Sequence, residues 1–418
     1  MASNANSAKS AGTLKSGNDY TLVQGVKFFA PVRRLLRGLH KEYPHGNRKL
    51  HYDEYAALFL LAYFQPTSQT LRWVQQASTL ERVQRKLGVS RTSLGSLSDA
   101  SRLFDPEFLR QIFLQLAEEA QACDGIARPR GLPADLRVIA ADGTLWDVLP
   151  KMARELWLQK ASSRGRKGNF KGHLQFDILR SVPCAAHFEM RDRSEAGKLA
   201  AELRPGVLYL LDRGFKSYEL YEQILAADSS FLVRIAEHCA CEIVEERELS
   251  ADAAKAGVQQ DALVRLGTQQ RRMEQPLRML RIKTSLPLPH NLHAKRKRGK
   301  HKAYVANEAK EQEIRLLTDR TDLDAETIAL LYRYRWQIEL FFRWFKCVLG
   351  SKHLMAHSEN GLRLQMYIAL IASLLVVVWT RRKPTQRLLN ALNFYLTGWA
   401  SWEELKEQIE RTPLLETN

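Results

Sequence analysis

Three acids and a set of cations are the residues here whose types and spacing can do chemistry. Asp142 stands in Ala140-Ala-Asp-Gly-Thr144, Asp212 in Leu210-Leu-Asp-Arg-Gly214, and Glu339 in the spaced set Tyr332-x2-Arg335-x3-Glu339-x6-Lys346. Hard divalent cations prefer oxygen ligands, and two of them about 3.5–4 Å apart activate a nucleophile and stabilise the leaving oxygen of a phosphodiester. Three acids without a His–Cys cluster suit Mg²⁺, with Mn²⁺ as a substitute, better than Zn²⁺. Taken singly, each Asp reads as a turn or capping residue, and Glu339 as half of an ordinary four-residue-spaced pair with Arg335.

The elements that position these acids decide between the two readings. Around Glu339 the sequence predicts one helix over residues 325–349, with Asp324 as its cap and Gly350 as its stop. At about 100° per residue, Tyr332, Arg335, Glu339, Arg343 and Lys346 fall within an arc of about 80°, while Ile338, Phe341 and Phe345 face the other way. One acid among three cations and a phenol fits a metal-binding carboxylate beside a DNA strand whose phosphates the cations contact. Trp336 falls at the edge of that stripe, where a packing role is an equal alternative.

Upstream, residues 137–141, 173–179 and 185–190 read as three consecutive strands. A helix capped by Ser194 follows, then the wholly apolar strand 207–211, a helix over 217–226, and a strand over 231–235. That order belongs to a ribonuclease-H-like α/β core. It places Asp142 and Asp212 directly after strands, at the carboxyl edge where open α/β sheets bind ligands. Two strand-end acids plus Glu339 make a metal site the better account.

Around this core, residues 1–19 read as a flexible tail and 20–130 as a helical N-terminal domain. Residues 131–236 and 311–357 form the catalytic domain, interrupted by a β-rich insertion at 237–310. Residues 358–418 form a C-terminal helical region. Within the N-terminal domain, residues 80–97 have the rhythm of a helix-turn-helix, with a Gly88 turn and a second helix opened by Ser90; a plain helical hairpin has the same rhythm. The insertion carries the basic run His293-Ala-Lys-Arg-Lys-Arg-Gly-Lys-His-Lys302, which is either a solvated loop or a phosphate contact. Lys167, Lys171 and His173, in or after the basic stretch Arg164-Gly-Arg-Lys-Gly-Asn-Phe-Lys-Gly172, have the same two readings.

A net charge of +17 at pI ≈ 9.7 favours a polyanionic partner. The five cysteines lack the paired spacing of a zinc site, and His238, Cys239 and Cys241 read as ordinary strand residues with metal ligation as the lesser alternative. Their odd number implies a reducing, cytoplasmic setting. The apolar run 367–380 is shorter than the roughly 20 residues a membrane span needs and predicts a buried helix, with no membrane partner.

The set Tyr332, Arg335, Glu339, Lys346 resembles the Tyr-Arg-Glu-Lys signature of bacterial insertion-sequence DDE transposases of the family-four group. Asp142-Gly-Thr and Asp212-Arg-Gly-Phe resemble that family's first and second acidic motifs, and the likeness runs from about Leu136 to His357. The resemblance implies that Asp142, Asp212 and Glu339 hold two Mg²⁺ ions and that Tyr332, Arg335 and Lys346 grip the strand at a transposon end. It implies double-stranded DNA as partner, a homodimer on DNA, and cut-and-paste transposition through hairpin ends. A nuclease of the same fold without strand transfer, and a domesticated DNA-binding protein without catalysis, are the alternatives.

Overall fold

The computed structural model describes residues 30–44, 47–65, 70–122, 133, 136–147, 169–190, 195–268, 270–284 and 312–412. The tail, Lys167, Ser194 and the basic run at 293–302 lie outside the described residues.

Among the described residues six α-helices come first, α1 (Ala30–Arg37), α2 (Tyr52–Tyr63), α3 (Leu71–Ala77), α4 (Glu81–Leu87), α5 (Leu94–Leu103) and α6 (Pro106–Gln121), with a 3-10 turn at Gly38–Lys41 after α1. The second helix of the helix-turn-helix expectation does not open at Ser90. Gly88 ends α4 in the left-handed region (φ 69°), the chain then runs extended, and it is Ser93 that caps α5 by accepting from Ser96 N. The backbone of Ser90 instead donates to Glu54 Oε1 at 2.8 Å, which anchors this loop to α2. The connection is longer than the three- to four-residue turn such a motif uses.

Among the described residues ten strands form one mixed sheet: β1 (Arg137–Asp147), β2 (Asn169–Asp177), β3 (Val182–Glu189), β4 (Val207–Leu211), β5 (Ser230–Ile235), β6 (Cys241–Glu246), β7 (Val258–Thr268), β8 (Arg271–Arg272), β9 (Leu277–Thr284) and β10 (Gln312–Thr318). Its order is β3-β2-β1-β4-β5-β10-β9-β7-β6, with β8 beside β7. Strands β1, β2 and β3 form an antiparallel meander, whereas β1, β4 and β5 run parallel. The β-rich insertion does not make a sheet of its own. Its strands extend this one, because β10 pairs with β5 on one side and β9 on the other. A two-pronged ion pair, Arg278 to Asp261 at 2.9 and 2.6 Å, lies buried between β9 and β7, and Arg278 also donates to Leu323 O. Leu323 leads directly into the helix that carries the site, so the insertion helps to fix its entry.

Alternation along the strands sorts side chains onto two cores. Val138 and Ala140 of β1, with Leu208 and Leu210 of β4, face a large cluster built with the N- and C-terminal helices. Ile139, Ala141, Tyr209 and Leu211 face a smaller one beneath α7 (Glu195–Ala200) and α8 (Tyr218–Ala226). Ser217 caps α8 through Leu220 N, and α9 (Ala251–Lys255) follows within the insertion.

The predicted single helix over residues 325–349 is instead three pieces: α10 (Ala325–Tyr334), α11 (Trp336–Arg343) and a π-helical turn, Trp344–Val348. A break at Arg335 separates α10 from α11, and Asp324 precedes α10 in extended conformation without a side-chain cap. Gly350, at φ 87°, ends the segment in the left-handed conformation glycine favours. The remaining helices are α12 (Glu359–Thr380), α13 (Gln386–Leu396) and α14 (Trp402–Arg411). α12 alone among the described helices is long and apolar enough to cross a membrane, and 89% of that stretch is buried inside the protein. Tyr63 of α2 donates to Gln365 O of α12, and Tyr367 of α12 donates to Ala186 O of β3, so this helix joins the N-terminal helices to the sheet.

Candidate active site at the carboxyl edge of the sheet

Asp212 directly follows β4, as the sequence predicts, but Asp142 does not end its strand. β1 pairs with β4 only as far as Ala141 opposite Leu211, then continues along β2 to Asp147 opposite Asn169. Asp142 therefore sits where β1 loses its parallel neighbour and one flank of the strand opens. By parity it shares a face with Val138 and Ala140, as Asp212 does with Leu208 and Leu210, and α11 packs on that same face through Ile338 and Phe341. Two acids on adjacent parallel strands and one on the covering helix thus converge on one edge.

Electrostatics register the convergence. Burial foremost, together with the Asp212 and Glu339 carboxylates, pushes the Asp142 carboxyl up to about 7 against the pull of the Arg335 guanidinium and the Gly143 N–H. Each acid is held locally. Glu339 Oε1 accepts from Arg335 Nη2 at 2.8 Å, Asp212 Oδ1 from Gly214 N at 2.7 Å, and Asp142 Oδ1 from Gly143 N at 2.7 Å. Among the described residues no three His, Cys, Asp or Glu side chains stand close enough to ligate one ion, His238, Cys239 and Cys241 included. As donors the three acids fit a hard divalent cation: all-oxygen, partly withdrawn from water and mutually repulsive. Taking one up requires the carboxylates to turn from their present partners.

Tyr332 is buried rather than exposed on a polar stripe, and the Arg335 guanidinium lies 5.7 Å from the centre of its ring. Asp212 and Arg234 both influence the Tyr332 hydroxyl, whose pKa burial raises. Lys346 reaches the extension of β1: its Nζ donates to Thr144 Oγ1 at 2.5 Å and Leu145 O at 2.6 Å, 4.5 Å from the centre of the Trp146 ring. Arg343 is exposed.

Lys171 is not part of this cluster. It pairs with Leu145 across β1 and β2, on the opposite face, and its Nζ lies 3.0 Å from Glu195 Oε1 at the start of α7. His173 is buried on that face too, 3.4 Å from Glu189. Glu195 belongs to no motif, yet it lines a pocket with Asp142, His187 and Lys198. A Cβ on Gly143 would come within 2.3 Å of its carboxylate. Thr144 is visible in the sequence only as the last residue of the Asp142-Gly-Thr motif, and Trp146 belongs to no motif.

Comparison with known proteins bears on these residues. The family model described as Transposase DDE domain matches residues 133–375, which contain all three acids. A protein of Sinorhizobium fredii named as a transposase is 29% identical over 225 residues, 53% of this chain and 56% of that protein. One of Geobacillus stearothermophilus, named as an insertion-sequence transposase, is 25% identical over 218 residues, 52% and 51% of the two chains. The matched stretch thus spans about half the length of these relatives. The piggyBac transposase synaptic complex with hairpin DNA aligns over 94% of this chain and 84% of that one, at 10% identity and a TM-score of 0.40, too distant a likeness to bear on the fold. With the family model spanning residues 133–375 of 418, the chain belongs to the DDE transposases.

Proposed function

We propose that this chain cuts DNA at transposon ends and joins the freed 3′ ends to target DNA, using a divalent-metal site held by Asp142, Asp212 and Glu339 in a ribonuclease-H-like core. The observation that carries this reading is that Asp142 and Asp212 stand at the edge of adjacent parallel strands, on the face covered by the helix that bears Glu339, close enough for both other acids to act on Asp142. The antiparallel meander feeding parallel strands β4 and β5 supports the same core.

Bound there, Mg²⁺ or Mn²⁺ would polarise a phosphodiester and lower the pKa of an attacking water or 3′-hydroxyl. The chain's own residues do the rest. Arg335, braced by Tyr332, presents its guanidinium beside the acids, where it can meet a phosphate two-pronged. Lys346 sets a second cation on the β1 extension, so the strand to be cut crosses the edge between them. Arg343 offers an exposed charge to the flanking backbone. The partner is double-stranded DNA, and the net charge of +17 supports its capture. Passage through hairpin ends follows the family resemblance. So does action as a homodimer through the C-terminal helices, where Phe394, Trp399 and Trp402 stand exposed.

The test is an end-cleavage and 3′-end joining assay on the element's own inverted repeats with Mg²⁺. The wild-type chain should cut and join, whereas Asp142→Asn and Glu339→Gln should do neither while keeping their far-ultraviolet spectra. Cutting without joining would favour a nuclease. Unimpaired cutting by either variant would remove that acid from the site.

A further inference from the structure

The π-helical turn and the far half of β1 together make a dock for one side chain. Leu349 N donates to Trp344 O at 3.0 Å, the five-residue step that widens the helix after Arg343. Such turns recur at functional sites, because they redirect side chains that a regular helix would aim elsewhere. Here Trp344 and Phe345 point inward, both buried, and Phe345 meets Trp146 edge to face at 6.4 Å between centroids. Lys346 follows them onto β1, where it meets a hydroxyl, a carbonyl and an aromatic face within reach of one ammonium.

The hydroxyl, the carbonyl and the ring that Lys346 meets there come from residues 144–146, beyond the point where β1 leaves β4. The strand therefore places Asp142 and, two residues on, the groups that orient Lys346. We propose that Thr144 is a positioning residue: its hydroxyl fixes the Lys346 ammonium relative to Asp142, so that metal-binding edge and strand-gripping cation are held in register by a single strand. The backbone carbonyl of Leu145 cannot do this alone, since an ammonium turns freely about one acceptor, whereas two acceptors and a ring face define a position. Displacement of a positioned charge by about 1 Å can cost on the order of 100-fold in rate.

The effect on DNA cutting rests on the proposed function, but the dock does not, and the experiment separates them. Thr144→Val keeps the β-branched shape and removes the acceptor; Thr144→Ser keeps the acceptor. First, reductive methylation of the intact protein is followed at Lys346 by mass spectrometry. Lys346 should react slowly in wild type and Thr144→Ser and several-fold faster in Thr144→Val, with circular dichroism unchanged. Equal reactivity in all three would overturn the dock.

Second, end cleavage is measured in a cycle with Lys346→Ala. Thr144→Val should slow cutting on the order of tenfold to 100-fold, Thr144→Ser should restore it, and Thr144→Val should add almost nothing once Lys346 is gone. Full additivity would overturn the positioning role. Methylation as expected in a wild-type chain that cuts no end would support the dock and refute the transposase reading instead.

Discussion

Arg335 and Glu339 hold one another at 2.8 Å, with the guanidinium largely withdrawn from water. A carboxylate that is to ligate a metal and a guanidinium that is to meet a phosphate thus satisfy each other in the free protein. Each ligand that separates the pair frees a partner for the other, and a coupling of this kind is reciprocal. DNA that draws Arg335 away should therefore tighten metal binding. Arg335→Gln should bind Mn²⁺ more tightly than wild type without DNA and lose most of the further gain on adding DNA. A coupling on the order of fivefold is the size to expect. Calorimetric titration of Mn²⁺ with and without a cognate end reads it, and identical affinities in wild type and variant would refute it.

At the scale of elements, the extension of β1 along β2 is held by aromatic packing that leaves no room for a methyl group. A Cβ on Gly172, which pairs with Thr144, would lie 2.7 Å from Trp146 Cζ3 and 2.8 Å from Phe188 Cε1. Both rings are buried, so Gly172→Ala should destabilise the chain by about 1–3 kcal/mol and shift the ring on which Lys346 rests. Urea unfolding checks the first expectation, and a change within about 0.5 kcal/mol, the size of an ordinary surface substitution, would show that the rings yield.

This strand also shows what the sequence made legible. The β-branched and aliphatic run 137–141 and the apolar run 207–211 identify β1, β4 and the edge that bears Asp142 and Asp212. The far half of β1 was hidden because Asp142-Gly143 has the composition of a turn, although Thr144, Leu145 and Trp146 favour strands. The break at Arg335 and the π-helical turn were hidden for the opposite reason: residues 325–349 suit a helix throughout, and neither departure is marked by a glycine or proline. Lys171, in a basic stretch, reads as a solvated residue or a phosphate contact, and strand parity puts it on the face opposite Asp142.

A second element-scale link joins the N-terminal helices to the sheet. Glu202, after α7, accepts from Arg110 of α6 and lies 2.6 Å from His187 of β3. Burial disfavours its charge, but the His187 hydrogen bond and Arg110 outweigh this, and its pKa is lowered. A carboxyl with a lowered folded-state pKa contributes stability above the ordinary carboxylate range and loses it as pH falls through the folded value. Glu202→Gln should therefore lower the melting temperature at neutral pH and flatten its decline on acidification. A parallel decline in both proteins would show that the cluster contributes nothing.

Over the whole molecule, one cluster of buried side chains runs from Val32 of α1 through β1 and α11 to Leu405 of α14, with α12 at its centre. The sequence suggests separable regions, with 358–418 a C-terminal helical region that serves dimerisation. Yet α12 contributes nearly all its apolar length to the core that supports Asp142, Asp212 and Glu339 from beneath. Exposing that helix would uncover apolar surface at roughly 25 cal/mol per Å², far more than the few kcal/mol separating folded from unfolded chains. The chain should accordingly unfold in one step, with tryptophan fluorescence and far-ultraviolet circular dichroism tracing the same urea transition. A chain ended after His357 should fail to fold, even though it retains every acid of the site. Two resolved transitions, or a soluble, cooperatively folded 1–357 fragment, would instead make the C-terminal helices an independent unit and leave the sheet and α11 to hold the site alone.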